Sequence, residues 1–193
     1  MIIKICVFGA ASDLIDENYI EMTEKLSYKL AQRGHELVFG AGANGLMGAA
    51  ARGFTKAGAK VTGIIPNFFK TETVEAIYEQ CDELIFTESM RERKKLMEDK
   101  ADAFVVVPGG IGTLEELFEI ITLKQLARHK KPIAFYNINK YYDGLIDFLN
   151  HCETERFIRE GCHNLYIATA DDDKLIEYIE DDKPFELGLK DLK

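Results

Sequence analysis

Tryptophan is absent from this 193-residue sequence, and proline and cysteine each occur only four times. Cys6, Cys81, Cys152 and Cys162 form no CxxC pair or other ligand spacing, which excludes a zinc ribbon or a thioredoxin-type motif. In a chain of this size they read as reduced, buried thiols. His35, His129, His151 and His163 stand apart from the acids and thiols that would complete a ligand set, so no metal is expected. Long apolar runs are missing as well. The longest uncharged stretch, Leu37–Ala51, falls short of the ~20 residues of a spanning helix and is broken by glycines. The opening run, interrupted by Lys4, reads as a strand and not as a signal peptide. Cationic excess is also lacking: 33 acids face 24 basic residues, for a net charge of -9. Nucleic acid, whose phosphates are held by Lys and Arg, is therefore not an expected partner. The sequence describes a soluble, acidic, cytoplasmic protein that makes no membrane contact.

What is present is apolar enough to fold, at 47% hydrophobic residues. The length suits one domain spanning residues 1–193. Apolar, β-branched runs at Ile2–Phe8, Glu36–Phe39, Val61–Ile65, Ala103–Val107, Pro132–Tyr136 and Leu165–Ala168 read as strands. Helical patterns lie between them, near 16–33, 45–57, 89–100, 113–128, 143–152 and 171–181, the last leading into an acidic tail. Several strands are apolar on both faces, as in a parallel sheet covered by helices on both sides. Alternation of this kind predicts a doubly wound, mostly parallel α/β sheet with right-handed crossovers. Ligands in such sheets sit at the carboxyl ends of the strands, which directs attention to the glycine-rich turns.

Two such turns stand out. Gly40-Ala41-Gly42-Ala43-Asn44-Gly45 matches the GxGxxG pattern of dinucleotide binding. It follows the second strand and not the first, and no acid lies between Glu36 and Glu72 to hold a ribose diol ~20 residues on. An NAD-dependent oxidoreductase is thus the weakest reading. Glycines that permit tight turning and close packing account for the motif, although a turn facing a nucleotide remains open. The second turn is Val107-Pro108-Gly109-Gly110-Ile111-Gly112-Thr113, running from the fourth of these strands into a helix. Glycines let the backbone approach an anion, and the first helical amides lack intrahelical acceptors, so a phosphate is the natural guest. No Gly-Lys-Ser/Thr follows, which excludes a Walker A loop.

Glu116 carries two readings. Thr113-Leu-Glu-Glu116 fits a capping box, in which the glutamate only returns to the helix start. Alternatively its carboxylate stands one turn from a bound phosphate, where it can stabilise a sugar cation or orient an attacking water. In the preceding helix, opened by the box Ser89-Met-Arg-Glu92, Met90, Arg93, Lys94 and Met97 share one face. Snorkelling would explain the two cations. Their place beside methionines, near the positive end of a helix, instead suggests a nucleotide receptor. Arginine supplies a planar fork for phosphate or sugar oxygens, and methionine a surface for a base.

Pro108-Gly-Gly-x-Gly-Thr-x-x-Glu116, together with Met90-x-x-Arg93-Lys94-x-x-Met97, resembles the paired signature of the LONELY GUY family, phosphoribohydrolases of cytokinin riboside monophosphates long mislabelled as lysine decarboxylases. Gly45-Leu-Met-Gly48, Gly63-Ile-Ile-Pro66, His129-x-Lys131-Pro132 and Tyr141-Tyr142 extend the resemblance over most of the chain. It implies a Rossmann-like homodimer that cleaves the N-glycosidic bond of a nucleoside 5′-monophosphate, a purine with or without an N6 modification, without cofactor or metal. Carried over by position, Arg93 and Glu116 are the catalytic pair. Lys94, Gly110, Gly112, Thr113 and Thr122 hold the nucleotide, joined by Met90, Gly109, Gly42 and Ser12 along the turns. Arg91 stands where the family commonly has His, and Leu123 where plant members have Trp, which leaves the base preference open. A non-catalytic nucleotide or cofactor carrier on the same scaffold is the alternative. The helix over 113–128 is apolar around most of its circumference, as expected if a second subunit covers one side.

Overall fold

The computed structural model describes residues 1–69 and 76–181. Seven strands are present there: β1 Lys4–Phe8, β2 Glu36–Phe39, β3 Val61–Pro66, β4 Glu83–Thr87, β5 Ala103–Val106, β6 Ile133–Tyr136 and β7 Ile167–Thr169. The described helices are α1 Glu17–Gln32, α2 Gly45–Lys56, α3 Met90–Lys100, α4 Ile111–Gln125, α5 Asp143–Thr154 and α6 Asp172–Glu180. Short 3-10 turns occupy Ile138–Lys140 and Cys162–Leu165.

All strand pairs are parallel, in the order β4-β3-β2-β1-β5-β6-β7. Alternation along β1 divides the core. Ile5 and Val7 join Leu37, Phe39, Leu26, Phe54 and Leu175 on the face covered by α1, α2 and α6. Cys6 and Phe8 point the other way, to Val38, Phe104, Met97, Leu117 and Ile120 under α3 and α4. Strands buried on both faces explain the unbroken apolar runs that the inner strands show in the sequence. No described helix is long and apolar enough to cross a membrane.

The doubly wound sheet is as expected, with one correction. The sequence reading has six strands and lacks β4, the edge strand beside β3. Its residues Glu83 to Phe86 are only half-buried, so the double-sided apolar signature of an inner strand is missing. The turn at Pro108–Gly112 therefore follows the fifth strand, not the fourth. The expected terminal helix is α6, and the tail over 182–193 lies outside the described residues.

Order reverses at β1, which is flanked by β2 and β5. The chain leaves β1 toward one edge and returns to β5 on its other side, and this splits the two turns at the carboxyl ends to open a crevice. The Ala10 amide donates to the Pro108 carbonyl at 3.1 Å, so the turns after β1 and β5 form one wall.

Candidate active site

Helix α3 begins at Ser89, whose hydroxyl accepts from the Glu92 amide at 3.2 Å, while the Glu92 carboxylate accepts from the amide of Glu88 at 2.8 Å. The capping box read in the sequence is thus built, its return bond reaching one residue further back than the cap. This fixes the first turn of α3 and with it Arg93, which is 6% exposed.

The second capping box is not built. Helix α4 starts at Ile111 with Gly110 as its cap and no side-chain cap bond. Thr113 is therefore the third helical residue, buried, and Glu116 the sixth, too far along for a return to the helix start. The Gly-Gly-x-Gly run continues the turn directly into helix, which a Thr-x-x-Glu match cannot register. Released from capping, the Glu116 carboxylate lies 3.9 Å from the Arg93 guanidinium, a contact of ions that is too long for a hydrogen bond. Burial raises its pKa to about 7, and the Arg93 charge acts in the opposite direction without cancelling it. The Arg93 guanidinium is otherwise thinly held: Nη1 reaches the Met90 sulfur at 3.7 Å, and buried Nε has no hydrogen-bond partner among the described residues.

The three glycines of the turn divide by role. A Cβ on Gly109 would sit 2.1 Å from the Thr113 hydroxyl, so Gly109 is small in order to seat Thr113. Nothing lies within 4 Å of where a Cβ would project from Gly110 or Gly112, both exposed, so their backbone faces open space. The amides at the start of α4 consequently point into an uncapped approach, the geometry that takes an anion. Two successive tyrosines brace this turn from behind. The Tyr141 hydroxyl donates to the Gly109 carbonyl at 2.8 Å, and that of Tyr142 to the Val107 carbonyl at 2.7 Å. The sequence marks the Tyr pair through the family resemblance alone; no local pattern foretells that both hydroxyls bond the same turn.

Other expected contacts are distributed differently. Lys94 is engaged by α4, with its ammonium on the carboxylates of Glu115 and Glu119, the latter at 2.6 Å. It ties the two helices of the site together and is not free for a phosphate. Met90, 40% exposed, lies at the rim beside Arg93. Ser12 is exposed after β1, its hydroxyl accepting from the Leu14 amide at 3.2 Å. Gly42 is buried and pairs with Ile77 in an isolated bridge. Thr122 is six residues beyond Glu116, roughly 9 Å down the helix axis. It opens instead into a cavity of about 240 Å³ with Phe118, Ile121, Phe157 and Tyr166. The structure therefore joins Arg93, Glu116 and Met90 to the Gly110–Gly112 turn, and leaves Thr122 apart.

The GxGxxG turn offers no pyrophosphate site. The Leu46 and Met47 amides at the start of α2 both donate to the Ala10 carbonyl, at 2.8 and 3.2 Å. A chain carbonyl occupies the place that a dinucleotide's phosphates would take.

Comparison with known proteins places the chain in a family. Residues 47–179 match a family model described as "Possible lysine decarboxylase". Cytokinin riboside 5'-monophosphate phosphoribohydrolase LOG2 of Arabidopsis thaliana is 33% identical over 181 residues, covering 94% of this chain and 84% of its own. The rice enzyme of that name, LOG of Oryza sativa subsp. japonica, is 35% identical over 187 residues, 96% of this chain and 76% of its own. Among solved structures, the molybdenum cofactor binding protein from Rippkaea orientalis superposes with a TM-score of 0.70 over 93% of this chain and 96% of that one, at 20% identity, a likeness of fold. On its sequence relatives and the family model, the chain belongs to the LONELY GUY family, the group of the cytokinin riboside 5'-monophosphate phosphoribohydrolases.

Proposed function

We propose that the protein hydrolyses the N-glycosidic bond of a nucleoside 5′-monophosphate to free base and ribose 5-phosphate. The observation that carries this is the buried Glu116 carboxyl, titrating near 7 beside Arg93 and one helical turn from an open set of amides. The substrate's phosphate lies at the start of α4, on the amides exposed at Gly110 and Gly112, with Thr113 alongside. This directs the sugar's anomeric carbon toward Glu116. The carboxylate stabilises the oxocarbenium-like cation as the C–N bond lengthens and removes a proton from the water that attacks. The bonding electrons leave with the base nitrogen, the water oxygen bonds to the anomeric carbon, and the base takes up a proton. Arg93 keeps part of the Glu116 population ionised and donates to sugar or phosphate oxygens. Met90 borders the base.

A purine base, with or without an N6 substituent, is the substrate class suggested by the named relatives. A second copy of the chain is the proposed partner, seated on the apolar side of α4 and α5. The proposed compartment is the cytoplasm, in keeping with four cysteines that are all unpaired. A carrier on this scaffold has the fold behind it, but it gives no use to a buried carboxyl poised near neutrality.

The deciding experiment incubates the protein with AMP, GMP, CMP, UMP and N6-isopentenyl-AMP and follows free base by chromatography. Release from at least one purine monophosphate is expected. Binding by calorimetry with no base released from any of them would overturn the reading in favour of a carrier.

A further inference from the structure

The Gly40–Gly45 turn is left without a ligand by the fold, yet it meets the site at one point. A Cβ built on Gly40 would lie 1.8 Å from Nη2 of Arg93, 2.9 Å from Cζ and 3.3 Å from Nε. The guanidinium thus rests directly on the Gly40 backbone, and only a hydrogen at that Cα leaves room for it. The turn is not free to yield. The Ala41 carbonyl accepts from the Tyr78 amide at 2.8 Å, and the Ala43 amide donates to the Ala76 carbonyl at 2.8 Å. Tyr78 is itself tied through its hydroxyl to Thr55 on α2, at 3.0 Å. On the far side the Ala10 carbonyl holds the amides of Leu46 and Met47. Ala41 has a φ of 62°, a left-handed conformation that a non-glycine residue keeps only where its surroundings enforce it.

We infer that Gly40 is a positioning residue for Arg93: a pinned turn presents a bare Cα as the seat on which the guanidinium is held against Glu116. The first glycine of the apparent dinucleotide motif thereby serves the site from behind. Arg93 needs such a seat because its other holds are weak, a long contact to the Met90 sulfur and a 3.9 Å contact to Glu116. A methyl group at position 40 meets a fixed backbone on one side and a flexible side chain on the other, so the arginine moves.

Gly40→Ala tests this, with two readouts. The first needs no catalysis: titration of the Glu116 carboxyl, followed by carbon NMR of labelled glutamate. Burial raises this titration, and Arg93 is the group that lowers it most; Lys94 also lowers it, while Glu115 and Glu119 on α4 raise it, and Cys6 on β1 is coupled to it. With Arg93 displaced and the others unmoved, Glu116 is expected to titrate higher in the variant. The second readout rests on the proposed hydrolase reaction: kcat falls by about 10- to 100-fold, the scale of a catalytic group misplaced by an ångström, with KM within about threefold. If the wild-type protein releases no base, the hydrolase reading fails while the titration still decides the role of Gly40. Should Gly40→Ala fold poorly, the same change is made in an Arg93→Ala background, where the seat is empty. A Gly40→Ala change that costs stability in the parent and none in the Arg93→Ala background supports the inference. An equal cost in both backgrounds, or an unmoved Glu116 titration in a folded Gly40→Ala protein, overturns it.

Discussion

Glu116, the proposed catalytic base, titrates far above the ordinary range of a carboxyl. Its carboxyl ionises near 7 in the folded chain, against an ordinary 4.5, with burial as the main cause. Between these values the folded state keeps a proton that the unfolded state has released. Stability accordingly falls as pH rises through the window, by roughly 3–4 kcal/mol in all, and stays low above 7. Glu116→Gln mimics the protonated form. It is expected to melt higher than the parent at pH 8 and level with it at pH 4, while base release drops about 100-fold or more. Scanning calorimetry at the two pH values and a turnover assay check both halves. For the parent, kcat/KM is expected to fall about tenfold per pH unit on the acid side of 7, as the base becomes protonated. Lys124 presents the opposite case on the same helix. It is 3% exposed, its ammonium has no hydrogen-bond partner among the described residues, and burial lowers its pKa to about 8. Here the unfolded state binds the extra proton between about 8 and 10.5, so the fold carries the cost of a buried cation at every pH below 8. Lys124→Met is expected to gain on the order of 1–3 kcal/mol at pH 7 and nothing near pH 10.5. Denaturant unfolding at the two pH values measures it.

At the scale of elements, the turn into α4 shows what a sequence does and does not disclose. That a glycine-rich turn joins a buried strand directly to a helix was legible, because strand, glycines and helix each follow from residue type. Where the helix begins was not. Thr113-Leu-Glu-Glu116 satisfies the capping pattern, yet Gly110 already supplies the cap, and the backbone alone starts the helix three residues before that pattern would. The half-buried edge strand β4 was missed for a related reason, since an edge position removes the double-sided apolar signature. Contacts between elements were the least legible of all: Tyr141 and Tyr142 on the turn, and Glu115 and Glu119 on Lys94, depend on crossovers that no local spacing encodes. The division of labour among the glycines follows from the structure and is testable. Gly109→Ala drives a methyl into Thr113 and is expected to cost about 1–3 kcal/mol of stability. Gly112→Ala meets nothing, so stability holds, while the added methyl at the mouth raises KM for a nucleoside monophosphate about tenfold. Melting curves and steady-state kinetics separate the two effects.

For the molecule as a whole, the strand order sets the place of the site and the surface chemistry points to its company. One reversal at β1 brings the turns after β1 and β5 together at the carboxyl edge, with α3 and α4 meeting above it. Beyond the site, α4 keeps apolar residues turned away from the core. Phe118 is 38% exposed and Leu126, just past the helix end, 51%, and Phe157 on the same cavity as Phe118 reaches 86%. Phe118 and Phe157 border the cavity into which Thr122 opens. Single exposed apolar residues are ordinary, but two exposed phenylalanines bordering one apolar cavity form a patch that water solvates poorly. The all-round apolar pattern of α4 in the sequence is thus only half used by its own chain. A second copy, the partner proposed above, would bring an identical patch about a two-fold axis and cover both at once. Sedimentation at micromolar protein is expected to show a dimer, and Phe157→Asp combined with Phe118→Asp to leave a folded monomer, because each charge would have to be buried without a partner. A wild-type protein that sediments as a monomer at these concentrations would show that the patch serves something other than self-association.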